Sequence, residues 1–172
     1  DEETVELGIR AALTGHLVFS TVHTNDAASG FTRLLNWNVE PFLIASTVKG
    51  ILAQRLVRRI CKECSRPHEP SAEELKMLGL EPEDKIKAFK GKGCLSCRNT
   101  GFKGRIGIYE LLVVDAEISE LVLNQAPGYK IRQQARKNGM RTLLEDGIIK
   151  IERGDTSISE VYETLGTSKI MI

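Results

Sequence analysis

The chain has 172 residues, of which 41% are apolar and 27% charged, with a formal net charge of +1. That length can bury a real core, as one domain with an inserted module or as two small domains. The near-neutral balance gives no bulk electrostatic case for nucleic acid, membrane or an acidic partner. No apolar run reaches the roughly 18 residues of a membrane span, and the acidic opening Asp1-Glu2-Glu3 is not that of a signal peptide. Without an initiator Met, the chain reads as a piece of a longer protein. Four cysteines in two tight pairs suit a reducing compartment, so the expectation is a soluble cytoplasmic protein.

In chain order, Glu2 to Leu13 predicts a helix with acid in its first turn and Gly15 past its end. The apolar, β-branched run Leu17 to Val22 predicts a buried strand. Thr24, Asn25 and Asp26 are possible N-caps for a helix through Leu34 and Leu35. Glu40-Pro41 opens another, with Phe42, Ala45, Val48 and Leu52 near one face. Gln54 to Ile60 predicts a strand leading to the first cysteine pair. Alternating helices and strands are the grammar of an α/β layered domain.

From Cys61 to Gly104 the chain turns to Cys, Gly, Pro and Lys, with one short helical pattern around Ala72 to Leu78. Apolar periodicity is sparse there, so something other than a core is expected to hold the segment. Arg105 to Val114 predicts a strand and the remainder is helical. Ser157 and Glu160 have capping-box spacing before a last helix through Val161 and Leu165.

The two pairs, Cys61/Cys64 and Cys94/Cys97, are both C-x-x-C and are separated by 29 residues. A knuckle at that spacing turns both sulfurs toward one point, and two knuckles supply the four thiolates of a tetrahedral zinc site. Local disulfides, a redox dithiol and iron–sulfur ligation are the other chemistries this pattern admits. Lys62 and Glu63 between the first two sulfurs favour ligation. A four-cysteine site leaves no open coordination position, so one structural zinc per chain is expected.

The run from Thr14 to Ala27 contains His16 and His23. A strand ending near Thr21 and a helix starting after Asp26 would put His23 at the carboxyl end of a strand beside a helix N-terminus. In open α/β sheets ligands bind there and N–H groups favour anions. An imidazole at that place donates to a phosphate oxygen. His16 would lie at the strand's opposite end. On chemistry alone, either histidine reads as readily as a satisfied structural residue.

This run resembles the histidine box of the type II secretion and type IV pilus ATPases, a RecA-like family of hexameric motors. Asp1-Glu2-Glu3-Thr4 is similar to the tail of that family's Walker B region. The similarity continues through Gln54-Arg55-Leu56-Val57, Gly101-Phe102-Lys103-Gly104-Arg105-Ile106-Gly107-Ile108-Tyr109-Glu110 and Gly139-Met140-Arg141-Thr142-Leu143. The resemblance implies an α/β fold: the C-terminal part of a RecA-like P-loop ATPase domain, with a four-cysteine zinc-binding insertion and a C-terminal helical subdomain. The corresponding divisions are 1–60 for the ATPase core, 61–104 for the zinc module and 105–172 for a strand plus the helical subdomain.

It further implies that His23 approaches the terminal phosphate, that His16 supports the box, and that Thr24 and Asn25 lie near the phosphates. The intact protein would be a homo-hexamer using ATP and Mg2+, cytoplasmic and peripheral to the inner membrane, docked on platform proteins there. The cysteines favour an assembly or secretion motor over a retraction motor.

No Gly-x4-Gly-Lys-Ser/Thr segment occurs, and Gly91-Lys92-Gly93 lacks its spacing. Nothing then holds the β- and γ-phosphates or Mg2+, so the chain alone is expected not to hydrolyse ATP. The competing reading is a zinc-ribbon module for nucleic acid, supported by seven Lys or Arg and no acid from Lys85 to Arg105. Only Phe89 and Phe102 offer stacking surfaces there, which disfavours it. Arg58, Arg59 and Arg66 are left without an assigned role.

Overall fold

The structure is a computed structural model and describes residues 2–166. Asp1, the first residue of the Walker B-like run, lies outside the described residues. Helix α1 (Glu2–Leu13) carries Glu2 and Glu3 in its first turn and an exposed Glu6–Arg10 pair, and the chain leaves it through Gly15 at φ +91°. Such a left-handed residue costs glycine no Cβ clash.

The strand expected over Leu17–Val22 does not form. Residues 16–24 have no regular secondary structure, and Leu17 and Phe19 are 79% and 89% exposed. A β-branched run becomes a strand only where a neighbour takes its backbone groups, and no strand among the described residues pairs with it.

Helix α2 (Ala28–Asn36) starts just after the expected caps, and Asp26 Oδ1 accepts the Ser29 N–H at 2.8 Å. Helix α3 (Pro41–Thr47) has its proline in the first turn, where the missing N–H costs nothing. Its buried residue is Ile44, whereas Phe42 is exposed. Val48 is already extended and Leu52 lies in the next strand, so the helical period does not run on through the expected face.

Strands β1 (Gly50–Ile60) and β4 (Phe102–Val113) are paired. Val114 donates to Lys49 at one end and Cys61 donates to Gly101 at the other, so they run in opposite directions. Between them lie β2 (Ser65–His68), helix α4 (Ala72–Met77) and β3 (Ala88–Gly91), with β2 and β3 antiparallel. Helices α5 (Ala116–Leu123), α6 (Gly128–Lys137), α7 (Leu143–Glu152) and α8 (Ile158–Leu165) follow.

The chain forms two compact units, each discontinuous in sequence. The first comprises the chain through Ala53 together with Glu110–Arg141. Its core joins Phe31, Ile44, Leu112, Ile118, Val122 and Ile131, all fully buried. The second comprises Gln54–Tyr109 together with the chain from Thr142. Its core joins Val57, Ile108, Ile151, Ile158 and Val161 with Leu78 and Ala88. The last two come from the segment expected to lack a core of its own. Leu78 follows α4 and Ala88 opens β3, so this segment contributes apolar side chains to a core assembled from distant segments.

In the second unit, α7 and α8 approach closely: a Cβ on Gly147 would lie 2.8 Å from Val161 Cγ1. Glu74 completes the α4 capping box with Ser71, accepts from His68 at 2.7 Å and pairs with Lys90 at 2.8 Å. Burial opposes its ionisation, yet bonds from Lys90, the Ser71 N–H and His68 hold its pKa down at about 2.

The capping box expected at Ser157 forms only in half. Ser157 Oγ accepts the Glu160 N–H at 3.4 Å, but the Glu160 carboxylate does not return to the cap. It accepts instead from the Arg58 backbone N–H at 2.9 Å and Nε at 2.8 Å, with Nη2 alongside. The Arg58 guanidinium also lies over the Phe102 ring, 4.4 Å from its centroid. Thr156 donates to the Arg58 carbonyl, and Ile60 donates to the Asp155 carbonyl, both at 2.9 Å. Arg58, unassigned from sequence, thus joins β1 to the start of α8.

Burial pushes the Glu160 carboxyl up, but hydrogen bonds and charge from Arg58 outweigh it and hold it below its ordinary value. The stabilisation is therefore fully present above the unfolded carboxylate value near ~4.3 and lost as pH falls through the folded one. Glu160→Gln is expected to lower stability by about 1.5 kcal/mol near neutrality, the low end for a charged hydrogen bond because Arg58 is half exposed. Urea unfolding across pH checks this: the gap between wild type and variant stays constant above about pH 5 and closes in acid. A gap that does not narrow at all in acid refutes the assignment.

Candidate metal centre and histidine segment

The second knuckle is a single 3-10 turn at Leu95–Cys97, followed by Arg98 and Asn99 at φ 54° and 62°. Gly93 at φ +89° precedes it, where a Cβ would meet the Asn99 carbonyl at 2.8 Å. Gly91 and Gly101 are pressed backbone to backbone: a Cβ on Gly91 would lie 2.1 Å from the Gly101 oxygen. Gly91-Lys92-Gly93 is therefore part of the knuckle's scaffold. The β2–β3 ladder pairs Ser65 with Gly91 and His68 with Ala88, folding the 29-residue spacer back on itself. Just past the ladder Lys92 donates to the Cys64 carbonyl at 3.0 Å, which brings the second knuckle next to the first.

All four sulfurs lie within 4.8 Å of one another. Cys61–Cys94 and Cys64–Cys97 are 3.9 Å apart and Cys94–Cys97 3.7 Å. A tetrahedron with metal–sulfur bonds of about 2.3 Å has edges of about 3.8 Å, so the donors are already spaced for such an ion. A disulfide needs about 2.05 Å, and all four cysteines are free thiols, so the disulfide alternative is not realised.

Burial pushes the Cys64 thiol up to about 11. At Cys97 burial acts the same way, but N–H groups of Cys94 and Gly101, at 3.2 and 3.3 Å from its sulfur, bring it down to about 6. The knuckles are also joined through side chains. Ser96 Oγ donates to Glu63 at 2.8 Å and accepts from Lys103 Nζ at 2.8 Å.

His16 and His23 lie in the first unit and the cysteines in the second. Both histidines are exposed, and neither joins a metal-capable cluster among the described residues. His16 Nδ1 is 3.0 Å from Thr14 Oγ1. His23 sits on the irregular segment that leads, through half-buried Thr24 and exposed Asn25, into the buried start of α2.

There two carboxylates occupy the N–H groups that an anion would otherwise meet. Asp26 takes that of Ser29, and Glu110 Oε1 takes that of Ala27 at 2.8 Å. Sequence reading missed Glu110, although a signal existed. In β4 the inward row runs Ile106, Ile108, Glu110, Leu112, with an acid in an otherwise apolar series. Asp26 also pairs with Arg132 of α6 at 2.7 Å, which no sequence spacing foretells.

The two aromatic residues of the basic stretch are engaged within the protein. Phe102 lies under Arg58, and Phe89 packs on Gly154, where a Cβ would lie 3.1 Å from its ring. Neither is presented for base stacking.

The chain matches the family model described as "Type II/IV secretion system protein" over residues 1–163. It is 47% identical over 163 residues to the type IV pilus assembly ATPase PilB of Thermus thermophilus, covering 94% of this chain and 18% of that protein. It is 40% identical over 161 residues to the type II secretion system protein E of Pseudomonas aeruginosa, covering 94% of this chain and 32% of that one. The chain thus spans less than a third of the length of either. Its fold is shared with the pilus retraction motor PilT bound to ADP, at a TM-score of 0.64 and 22% identity over the whole chain and 38% of that structure. It is shared also with the ATPase DotB of Legionella pneumophila, at a TM-score of 0.58 and 22% identity over 95% of the chain and 35% of that structure. With the family model matched along nearly its whole length, the chain belongs to the type II/IV secretion system protein family.

Proposed function

We propose that this chain is the C-terminal portion of a hexameric ATPase motor that drives type II protein secretion or type IV pilus assembly. The observation that carries the reading is identity of 40 to 47% to secretion and pilus-assembly proteins across 94% of the chain. The intact protein would bind ATP with Mg2+ and act on the cytoplasmic side of the inner membrane, docked on platform proteins there. No helix among the described residues is long and apolar enough to cross a membrane. The cysteine cluster supports an assembly or secretion motor over a retraction motor.

In this reading the four thiolates of Cys61, Cys64, Cys94 and Cys97 hold one zinc. A bound zinc would supply cross-linking of the two knuckles and, with four sulfur ligands, no open position for chemistry. The protein's part is prepared: glycine contacts set the turns, and two N–H groups favour charge on Cys97. The reading of the segment 61–104 as a zinc module rests on this cluster.

His23 is assigned to the terminal phosphate, with His16 supporting the segment and Thr24 and Asn25 near the phosphates. The exposure of His23 leaves its imidazole able to donate outward. Removing one such preorganised donor from phosphoryl transfer costs about a hundredfold in turnover.

Elemental analysis of the purified chain is expected to find about one zinc per chain, with four thiols becoming titratable on chelation. Cys97→Ser should abolish retention. Metal-free protein after anaerobic purification overturns the four-cysteine zinc assignment. The chain alone is expected to show no magnesium-dependent ATP turnover, and measurable turnover by clean material refutes that. In the intact ATPase, His23→Ala should lower kcat by about a hundredfold in steady-state phosphate release, and unchanged kcat removes His23 from the site.

A further inference from the structure

The start of α2 is held by an arrangement that ordinary helix capping does not require. Asp26 already caps α2 with one oxygen, through the Ser29 N–H. Its other oxygen faces Arg132 Nη2 at 2.7 Å. The next N–H along the chain, that of the fully buried Ala27, goes to Glu110. Asp26 is 8% exposed and Glu110 3%. Two distant elements, β4 and α6, therefore each spend a charged side chain beside the peptide unit joining residues 26 and 27, Glu110 on its N–H and Arg132 on the Asp26 carboxylate. A lone serine cap would satisfy the same helix end without burying any charge.

What this peptide unit terminates is the irregular run from residue 14, most of whose side chains are exposed. His23 precedes Asp26 by three residues, so its backbone can lie at most about 10 Å from the anchor. The N–H groups of Ala27 and Ser29 are taken by carboxylates, so those two donors are not offered to a phosphate. An outward donor from this segment must come from upstream of the anchor.

We infer that Glu110 and Arg132 are positioning residues for His23: by fixing Asp26 and Ala27 they set where the imidazole meets the nucleotide. The inference rests on the reading of His23 as the phosphate-facing group. Glu110 acts as acceptor for the Ala27 N–H and Arg132 as the cation holding Asp26, and neither touches nucleotide. Displacing a reacting group by about 1 Å costs up to about a hundredfold in rate, so loss of either tether should act on turnover.

The test is steady-state ATP hydrolysis by the intact hexameric ATPase carrying His23→Ala, Glu110→Ala, Glu110→Gln, Arg132→Gln and the double variant His23→Ala/Glu110→Ala. Glu110→Ala and Arg132→Gln are expected to lower kcat by about tenfold to a hundredfold, with KM for ATP within about twofold of wild type. Glu110→Gln, which keeps an oxygen to accept the Ala27 N–H, should recover most of the rate. In the double variant the losses should not multiply, because Glu110 acts through His23. Arg132 is partly exposed, so Arg132→Gln is the milder change, and with its assembly checked by size-exclusion chromatography it keeps the test decisive if Glu110→Ala does not assemble. Wild-type kcat in Arg132→Gln and Glu110→Ala, or multiplicative losses in the double variant, overturn the inference while leaving His23 in place. Wild-type kcat in His23→Ala overturns both it and the reading beneath it.

Discussion

The pairing of β1 with β4 is the constraint on which both units depend. Each strand is long enough to supply inward side chains to two cores in succession. Ala53 and Leu112 go to the first, and Val57 and Ile108 to the second. The period of two in these strands keeps the inward residues of each unit on one side of its stretch of the ladder. A one-residue slip would expose all four and would turn Glu110 outward, away from the Ala27 N–H. The ladder also delivers the chain into the cysteine knuckles, since Cys61 follows the last residue of β1 and donates to Gly101 just ahead of β4.

Around that ladder, charged groups are buried only where they are matched. Glu160 is met by Arg58, Asp26 by Arg132, and Glu110 by a main-chain N–H. An isolated buried carboxylate would cost several kcal/mol, so such groups persist only where partners satisfy them. Among the described residues no buried side-chain nitrogen or oxygen lacks a partner. In each of these cases a charged side chain fixes the end of a helix or strand whose backbone would otherwise fray. The Glu160 case shows a local rule yielding to a tertiary one. A capping box offers its carboxylate one backbone N–H, whereas Arg58 offers a charged partner together with its own N–H.

The cysteine cluster follows a different logic. Few apolar side chains surround the knuckles, and their geometry is set by close backbone contacts at Gly91, Gly93 and Gly101. These contacts bring the sulfurs to tetrahedral spacing, which is the condition for a metal to bind without rearranging the chain. The rest of the spacer is not independent of the protein, because Leu78 and Ala88 belong to the second core.

By itself the sequence determined what depends on neighbours close along the chain. These are the two C-x-x-C knuckles, the first helix with the glycine past its end, the strand character of Gln54 to Ile60 and of the segment from Arg105, and the run that carries the family resemblance. Spacing of one to four residues fixes such features through local sterics and hydrogen bonding. Tertiary structure decided whatever needs a distant partner. The run from Leu17 to Val22 has the composition of a strand, yet without a paired neighbour it stays irregular and exposed. Arg58 and Glu160 are 102 residues apart, and Ala27 and Glu110 are 83 apart. No periodicity encodes those separations, because long-range pairing is set by how the packed cores bring segments together.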